Sequence, residues 1–459
     1  MTNKLVIILI LFTTSYFTKA QSNEQYLKDY IHYGLKNNLE IQSNKDVIGT
    51  YEAKRGQALS NFLPKVELSS RYTRAGGGRS FEFPLGSMLN PIYDSLHIPL
   101  HFDDMKESFI RQTEQDSKIE LIQPIFNLSI LNNYNYVDEQ YQSALHEYNA
   151  KEINLIYSIK EKYYNYLKSL LLVDIGKSAL ELANENLNVV NKLFEVDRSP
   201  STDVLRAEVL VQNSIQDLQI ARNMVILSKN TFNQQVNQDF DKDIKHDSLT
   251  IEDFGKSEQQ KALNFQFNLE QAMQTALEKR PELKQMNSML KSLEYAKKAV
   301  NSDFLPSLSL VADYGIQGEQ YNLDTENRYW MISGVFKWNL FSGFETKYKS
   351  EELLAQSSSI KNNLESIKQL ITLEVKNNYL NYRTNLDLLK VADKAYKSAL
   401  ENYRLNKLRY QEGLGQYISF LDSQTTLVTA QTNYILSFYN ILATKALLEK
   451  SIGLGIENN

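Results

Sequence analysis

The sequence predicts a mainly α protein with a small β part, internally duplicated and dominated by long antiparallel coiled-coil helices. Three observations predict it. The two halves repeat one another, two stretches of about seventy residues lack proline, and short segments beside two prolines switch to a period of two.

The chain begins with a segment set apart from the rest. Lys4 precedes an apolar run, Leu5 to Phe12, and Thr18-Lys19-Ala20 brings small residues up to Gln21. That order reads residues 1–20 as a secretory signal peptide, too short to span a bilayer as a helix. A buried N-terminal helix is the alternative. Cleavage removes Lys4 and Lys19 and moves the formal charge from −5 to −7. With no cysteine, disulfides, thiolate chemistry and an acylated N-terminal cysteine are excluded. No later stretch approaches the roughly 18 apolar residues of a membrane helix, so a membrane crossing has to use strands. The mild acidity argues against a nucleic-acid partner.

The duplication shows at two offsets. Shifted by 242, Phe62-Leu63-Pro64 lies over Phe304-Leu305-Pro306, and Leu68 and Tyr72 lie over Leu310 and Tyr314. Shifted by 216, Tyr163, Asn165 and Tyr166 lie over Tyr379, Asn381 and Tyr382, and Ala183, Glu185 and Asn186 over Ala399, Glu401 and Asn402. The second half is therefore 26 residues shorter between these blocks, within its equivalent of the polar stretch 74–115.

Each repeat reads helix, strand, loop, strand, long helix, return helix. The first repeat covers 21–238: a helix from about Asn23 to Asn61, strand 63–73, loop 74–115, strand 116–124, long helix 125–197 and return helix 200–238. A charged linker, 239–267, follows. The second repeat covers 268–453: a helix over Asn268 to Asp303, strand 306–315, loop 316–327, strand 328–340, long helix 341–412 and return helix 416–453, then a tail, 454–459. Pro64 and Pro306 end the first helix of each repeat, because proline donates no hydrogen bond and disfavours a helical predecessor.

Beyond the prolines side chains alternate. Val66, Leu68, Ser70 and Tyr72 share one parity; so do Trp330, Ile332, Gly334, Phe336 and Trp338. Trp330 and Trp338 are the chain's two tryptophans. Eight residues of tilted strand separate them by about 20 Å along a membrane normal, the spacing of two aromatic girdles. A soluble sheet with one apolar face tolerates the alternation but gives no reason for tryptophan at both ends. The long helices reach about 105 Å. In the return helices, Val204, Val211, Leu218, Val225 and Phe232 recur every seven residues beside Ala207, Ser214, Ala221 and Ser228. The copy has Phe420, Leu427, Tyr434, Ile441 and Leu448 beside Ser423, Ala430, Ser437 and Thr444. A large and a small stripe at a 3.5-residue period let two antiparallel helices approach closely.

Four strands cannot close a barrel, and an open sheet edge is forbidden in lipid, so chains have to pool strands. Three chains give twelve, an even number within the range of outer-membrane barrels. Here the residues meet a family. The chain resembles the TolC-like outer-membrane efflux proteins over essentially its whole mature length. The resemblance rests on the duplication, the Phe-Leu-Pro joints, Gln123-Pro124-Ile125-Phe126, Trp338-Asn339-Leu340-Phe341-Ser342-Gly343, Arg409-Tyr410-Gln411-Glu412-Gly413 and Phe420-Leu421-Asp422-Ser423-Gln424. It implies a homotrimer in the bacterial outer membrane, with a twelve-stranded transmembrane β-barrel and a periplasmic α-barrel. It also implies a periplasmic adaptor (membrane fusion) protein and an inner-membrane transporter as partners, and makes 74–115 an extracellular loop. The expected function is the exit channel of a tripartite efflux or type I secretion system. No catalysis, metal or cofactor is expected.

The family's helix tips close the periplasmic end. By motif, Asp422 matches the inner aspartate of its aperture, and the outer aspartate falls on Ser419, a departure from the family. Tyr410 and Asp203 match a latch pair, while the family's basic latch position falls on Gly415. Ser199, Pro200, Gly413 and Gly415 mark the tips where an adaptor would dock. For Asp422 the alternative is an exposed helix charge; for Asp203, a first-turn acid favoured by the helix dipole. His97 and His101 with Asp103 and Asp104 form no convincing metal set in their polar loop, and Gly76-Gly77-Gly78 lacks the strand–helix context of a phosphate loop. A secreted coiled-coil scaffold or adhesin is the rival reading.

Overall fold

The computed structural model describes residues 23–247, 268–320 and 324–455. The expected signal peptide, residues 248–267 of the linker and the last four residues of the tail lie outside the described residues.

The helix expected over Asn23 to Asn61 is two helices, α1 (Asn23–Asn37) and α2 (Leu39–Ser60). Asn38 makes the break. Its Oδ1 accepts the N–H groups of Glu40 at 2.9 Å and Ile41 at 3.2 Å, capping α2, and its Nδ2 donates to the Gln235 carbonyl at 2.8 Å. The second repeat divides at the equivalent residue, Arg280, into helices Leu269–Lys279 and Pro281–Asn301. There Pro281 opens the second helix, where its missing N–H costs nothing, and biases Arg280 away from helical geometry.

Strand β1 (Lys65–Arg74) follows Pro64. The expected loop 74–115 has its own structure: strand β2 (Ser80–Phe83), helix α3 (Leu85–Ser95) and strand β3 (Met105–Ser108), with β2 and β3 paired. Asn90 and Phe102 exchange two 2.8 Å hydrogen bonds across it, and Asp104 accepts from both the N–H and the hydroxyl of Ser87. Those contacts hold the Asp104 carboxyl below its usual pKa, the backbone N–H first among them. Composition hid this insert, because local side-chain-to-backbone bonds rather than an apolar period build it.

Strand β4 (Thr113–Phe126) is longer than the expected 116–124 and bulges between Pro124 and Phe126. It leads into α4 (Leu128–Glu195), which α5 (Ser201–Gln235) follows. In the second repeat, α6 (Leu269–Lys279) and α7 (Pro281–Asn301) precede β5 (Ser307–Gly318) and β6 (Arg328–Lys337), then α8 (Glu345–Gln411) and α9 (Tyr417–Ile452). Strand β6 ends before residue 340, so Trp338 lies just beyond it.

The described residues form two compact units, and α2, α4, α7 and α8 run through both. One holds Gly49–Ser143 and Met286–Asn362, including a four-stranded antiparallel sheet in the order β1-β4-β5-β6. The other holds the described parts of Met1–Ile48, Ala144–Gln285 and Asn363–Asn459. Its core is built on the heptad stripes: Ala207, Val211, Ser214, Leu218, Ala221 and Phe232 are buried on α5, as are Phe420, Ser423, Leu427, Ala430, Tyr434, Ile441 and Leu448 on α9.

Candidate gate and membrane face

Both hairpin tips turn by the same geometry. After α4, Asp197 takes φ 57°, and the N–H groups of Asp197 and Arg198 reach the carbonyls of Phe194 (3.0 Å) and Leu193 (2.8 Å). After α8, 216 positions on, Gly413 takes φ 73°, and Gly413 and Leu414 reach Tyr410 (3.0 Å) and Arg409 (2.8 Å). These are left-handed C-terminal turns that satisfy the last helical carbonyls. A Cβ on Gly415 would lie 3.2 Å from the Arg409 carbonyl carbon and the Tyr410 nitrogen, so the chain is closely packed where the family's basic residue would stand.

Behind the tips the structure brings several expected residues together. Tyr410 on α8 is buried and stacks on Phe420 of α9, centroids 5.4 Å apart and planes 16° apart; Phe420 stacks in turn on Tyr403 at 5.8 Å. The Tyr410 hydroxyl is buried without a well-formed hydrogen bond; Ser199 and Asp203 lie near it, and burial, with the Asp203 charge, pushes its pKa up. Ser199 is buried and its Oγ donates to Asp203 Oδ2 at 3.4 Å, while Arg206 stands 3.7 Å from Asp203 Oδ1. Pro200 is exposed and sits at the N-cap of α5. Ser419 and Asp422 are exposed on α9, outside this buried layer.

Sequence reasoning passed over the residues that complete the layer. Tyr417 is buried 5.5 Å from the Tyr410 ring, and burial pushes its hydroxyl up to about 12. Asn186 on α4 donates to Gln424 Oε1 of α9 at 3.1 Å, and Lys407 on α8 pairs with Glu185 on α4 at 2.8 Å, tying the two hairpins together. The signal was present: Asn186 occupies a heptad core position, where a polar residue commonly fixes register. Asn186 Oδ1 is buried without a hydrogen-bond partner, and the buried hydroxyls of Tyr410 and Tyr417 lie beside Ser199 and Asn186 without a well-formed bond.

The sheet separates an apolar face from a charged one, and on β1 both are exposed. Leu68 (75 % exposed), Trp330 (73 %), Phe336 (64 %) and Ile332 (63 %) stand open, while Asp313 on the opposite face is 4 % exposed. Through the pairing, the charged face carries Glu67, Arg71, Asp116, Lys118, Glu120 and Asp313, and the open face carries Leu68, Tyr72, Ile119, Leu310, Tyr314 and Trp330. Apolar outside and polar inside is the pattern of a barrel wall in lipid. Trp338 is also exposed, and its Nε1 donates to the Phe304 carbonyl at 3.0 Å. Among the described residues, no helix is long and apolar enough to cross a membrane.

Comparison with known proteins agrees with this geometry. Residues 272–454 match the family model "Outer membrane efflux protein". The chain is 21% identical over 319 residues to the probable efflux pump outer membrane protein TtgC of Pseudomonas putida; that alignment covers 69% of this chain and 64% of TtgC, just under two thirds of the relative's length. It is 21% identical over 467 residues to outer membrane protein TolC of Escherichia coli, covering 98% of this chain and 86% of TolC. The crystal structure of VceC from Vibrio cholerae superposes with a TM-score of 0.74 at 14% identity, over 95% of this chain and 99% of VceC.

Proposed function

We propose that this chain, which resembles the TolC-like outer-membrane efflux proteins over its length, is the outer-membrane exit duct of a tripartite efflux or type I secretion system. The protein is an outer-membrane channel component and not an enzyme. The observation that carries the proposal is the sheet with one exposed apolar face, one charged face, and β1 and β6 as its edges. An unpaired edge in hydrocarbon costs several kcal/mol per backbone group. Sister copies remove it: three chains close a wall of about twelve strands. Exposed apolar residues on α5 (Leu205, Val209, Ile220) and α8 (Leu370, Leu380, Val391) suit the same association. Substrate passes down the assembled bore without chemistry, driven by an inner-membrane transporter through a periplasmic adaptor that grips the tips near Ser199, Pro200, Gly413 and Gly415.

The tips form the gate. Tyr410, Ser199 and Asp203 hold α8 against the α4–α5 turn, and Asp422, with Ser419 in the outer position, lines the aperture around the symmetry axis. Like charges gathered there repel one another and favour cations.

Planar-bilayer conductance tests the reading. The purified trimer gives small, mostly closed currents, and Tyr410→Phe with Asp203→Ala raises them. Unchanged currents reject the latch. A water-soluble protein with no conductance and no heat-dependent shift on electrophoresis supports the rival scaffold instead.

A further inference from the structure

We propose that the charged face of the sheet carries a second charge filter, a collar of carboxylates that selects hydrated cations inside the membrane segment, in addition to the aperture at the helix tips. The proposal rests on the duct reading above.

The pairing aligns Glu67 of β1 with Glu120 of β4, and Glu120 with Asp313 of β5, so three carboxylates form one transverse row on one face. Like charges directly opposite across strands destabilise a sheet, and this row contains two such pairings in succession. One cation offsets them. Lys118 Nζ lies 2.7 Å from Glu120 Oε2 and 3.2 Å from Asp313 Oδ2. Its partner across the strands is Gly315, where a Cβ would come within 2.8 Å of the Lys118 Cβ. Glycine there leaves room for the lysine beside the carboxylates.

The neutralisation is incomplete. Asp313 is 4 % exposed, and its Oδ1 is buried without a hydrogen-bond partner. That buried oxygen lies beneath the row and adds its unsatisfied negative charge to the potential that the more exposed Glu67 and Glu120 present on the charged face. Lys65 stands on the same face two residues from Glu67, so three carboxylates against two lysines leave each copy net negative at this level, and closing the wall with sister copies repeats the row around the bore. Among the described residues no three His, Asp or Glu side chains are placed to ligate a metal. The row therefore acts on hydrated cations through charge, as rings of acidic side chains do in cation channels.

The test is the reversal potential of the trimer in a potassium chloride gradient, measured in an Asp422→Asn background so that the tip does not dominate. Glu67→Gln with Glu120→Gln is expected to lower the potassium-to-chloride permeability ratio several-fold. Lys118→Met, which unmasks the row, is expected to raise it. Conducting channels whose reversal potential is the same in all three forms overturn the collar alone. Absence of any current from the unmodified protein overturns the duct reading and the collar with it.

Discussion

The indole N–H of Trp338 donates to the carbonyl of Phe304 at 3.0 Å, and in the first repeat Gln123 Nε2 donates to the carbonyl of Phe62, also at 3.0 Å. Phe62 and Phe304 are equivalent positions at the two helix-to-strand joints, so the duplication keeps the bond and changes the donor. Trp338→Phe keeps the ring and removes the bond, at a cost of about 1 kcal/mol. Urea unfolding of the detergent-solubilised protein measures it, and Gln123→Leu is expected to cost a similar amount.

A buried ion pair joins the hairpins elsewhere. Lys160 of α4 meets Glu449 of α9 at 2.8 Å, with side chains only 11% and 9% exposed. Lys160→Met leaves Glu449 only the partly exposed Lys445, 3.8 Å away, and is expected to cost up to about 3 kcal/mol. Lys160→Met with Glu449→Met removes both charges and is expected to recover most of that loss. A double-mutant cycle reads the coupling directly.

Burial of tyrosines makes the helical unit sensitive to alkali. Tyr417 ionises near 12 in the folded chain, against about 10 when unfolded. Between those values the folded state holds more protons than the unfolded one, so stability is complete below pH 10 and falls as pH rises toward 12. Melting curves across that window are expected to slope downward, and Tyr417→Phe to make the slope shallower.

The two tip turns differ in how comfortably they hold a left-handed residue. Gly413 (φ 73°) takes it freely, whereas Asp197 (φ 57°) bears a side chain. Gly413→Val is expected to cost about 1–2 kcal/mol, and Asp197→Gly to be neutral or to stabilise by less than that. Hydrogen exchange at Arg198 and Leu414 reports each turn separately.

Much of this was legible before any coordinates, where one residue type forces one outcome. Pro64 and Pro306 end the helices where expected, and the stripes through Leu218 and Leu427 are buried as the period required. Legibility failed where tertiary contacts decide. Asn38 breaks a helix through its own side chain and a carbonyl near the far end of α5. Strand β4 was indistinct because Gln115 and Ser117 stand on the face that Ile119 and Leu121 make apolar, which blurs the alternation. At the tips, Tyr410 and Asp203 could be named from motif, but not the Ser199 hydroxyl between the helices or the Tyr417 ring beside it, since proximity across a turn leaves no period.

The central claim is that the open face of β6 meets lipid while its other face lines the bore. The chain has no cysteine, so single cysteines introduced at positions 330 to 336 can each carry a nitroxide in reconstituted bilayers. Spin labels at 330, 332 and 336 are expected to relax with oxygen, which concentrates in lipid. Labels at 331, 333 and 335 are expected to relax with a water-soluble nickel chelate. Uniform access of the chelate to all of these positions would contradict the account.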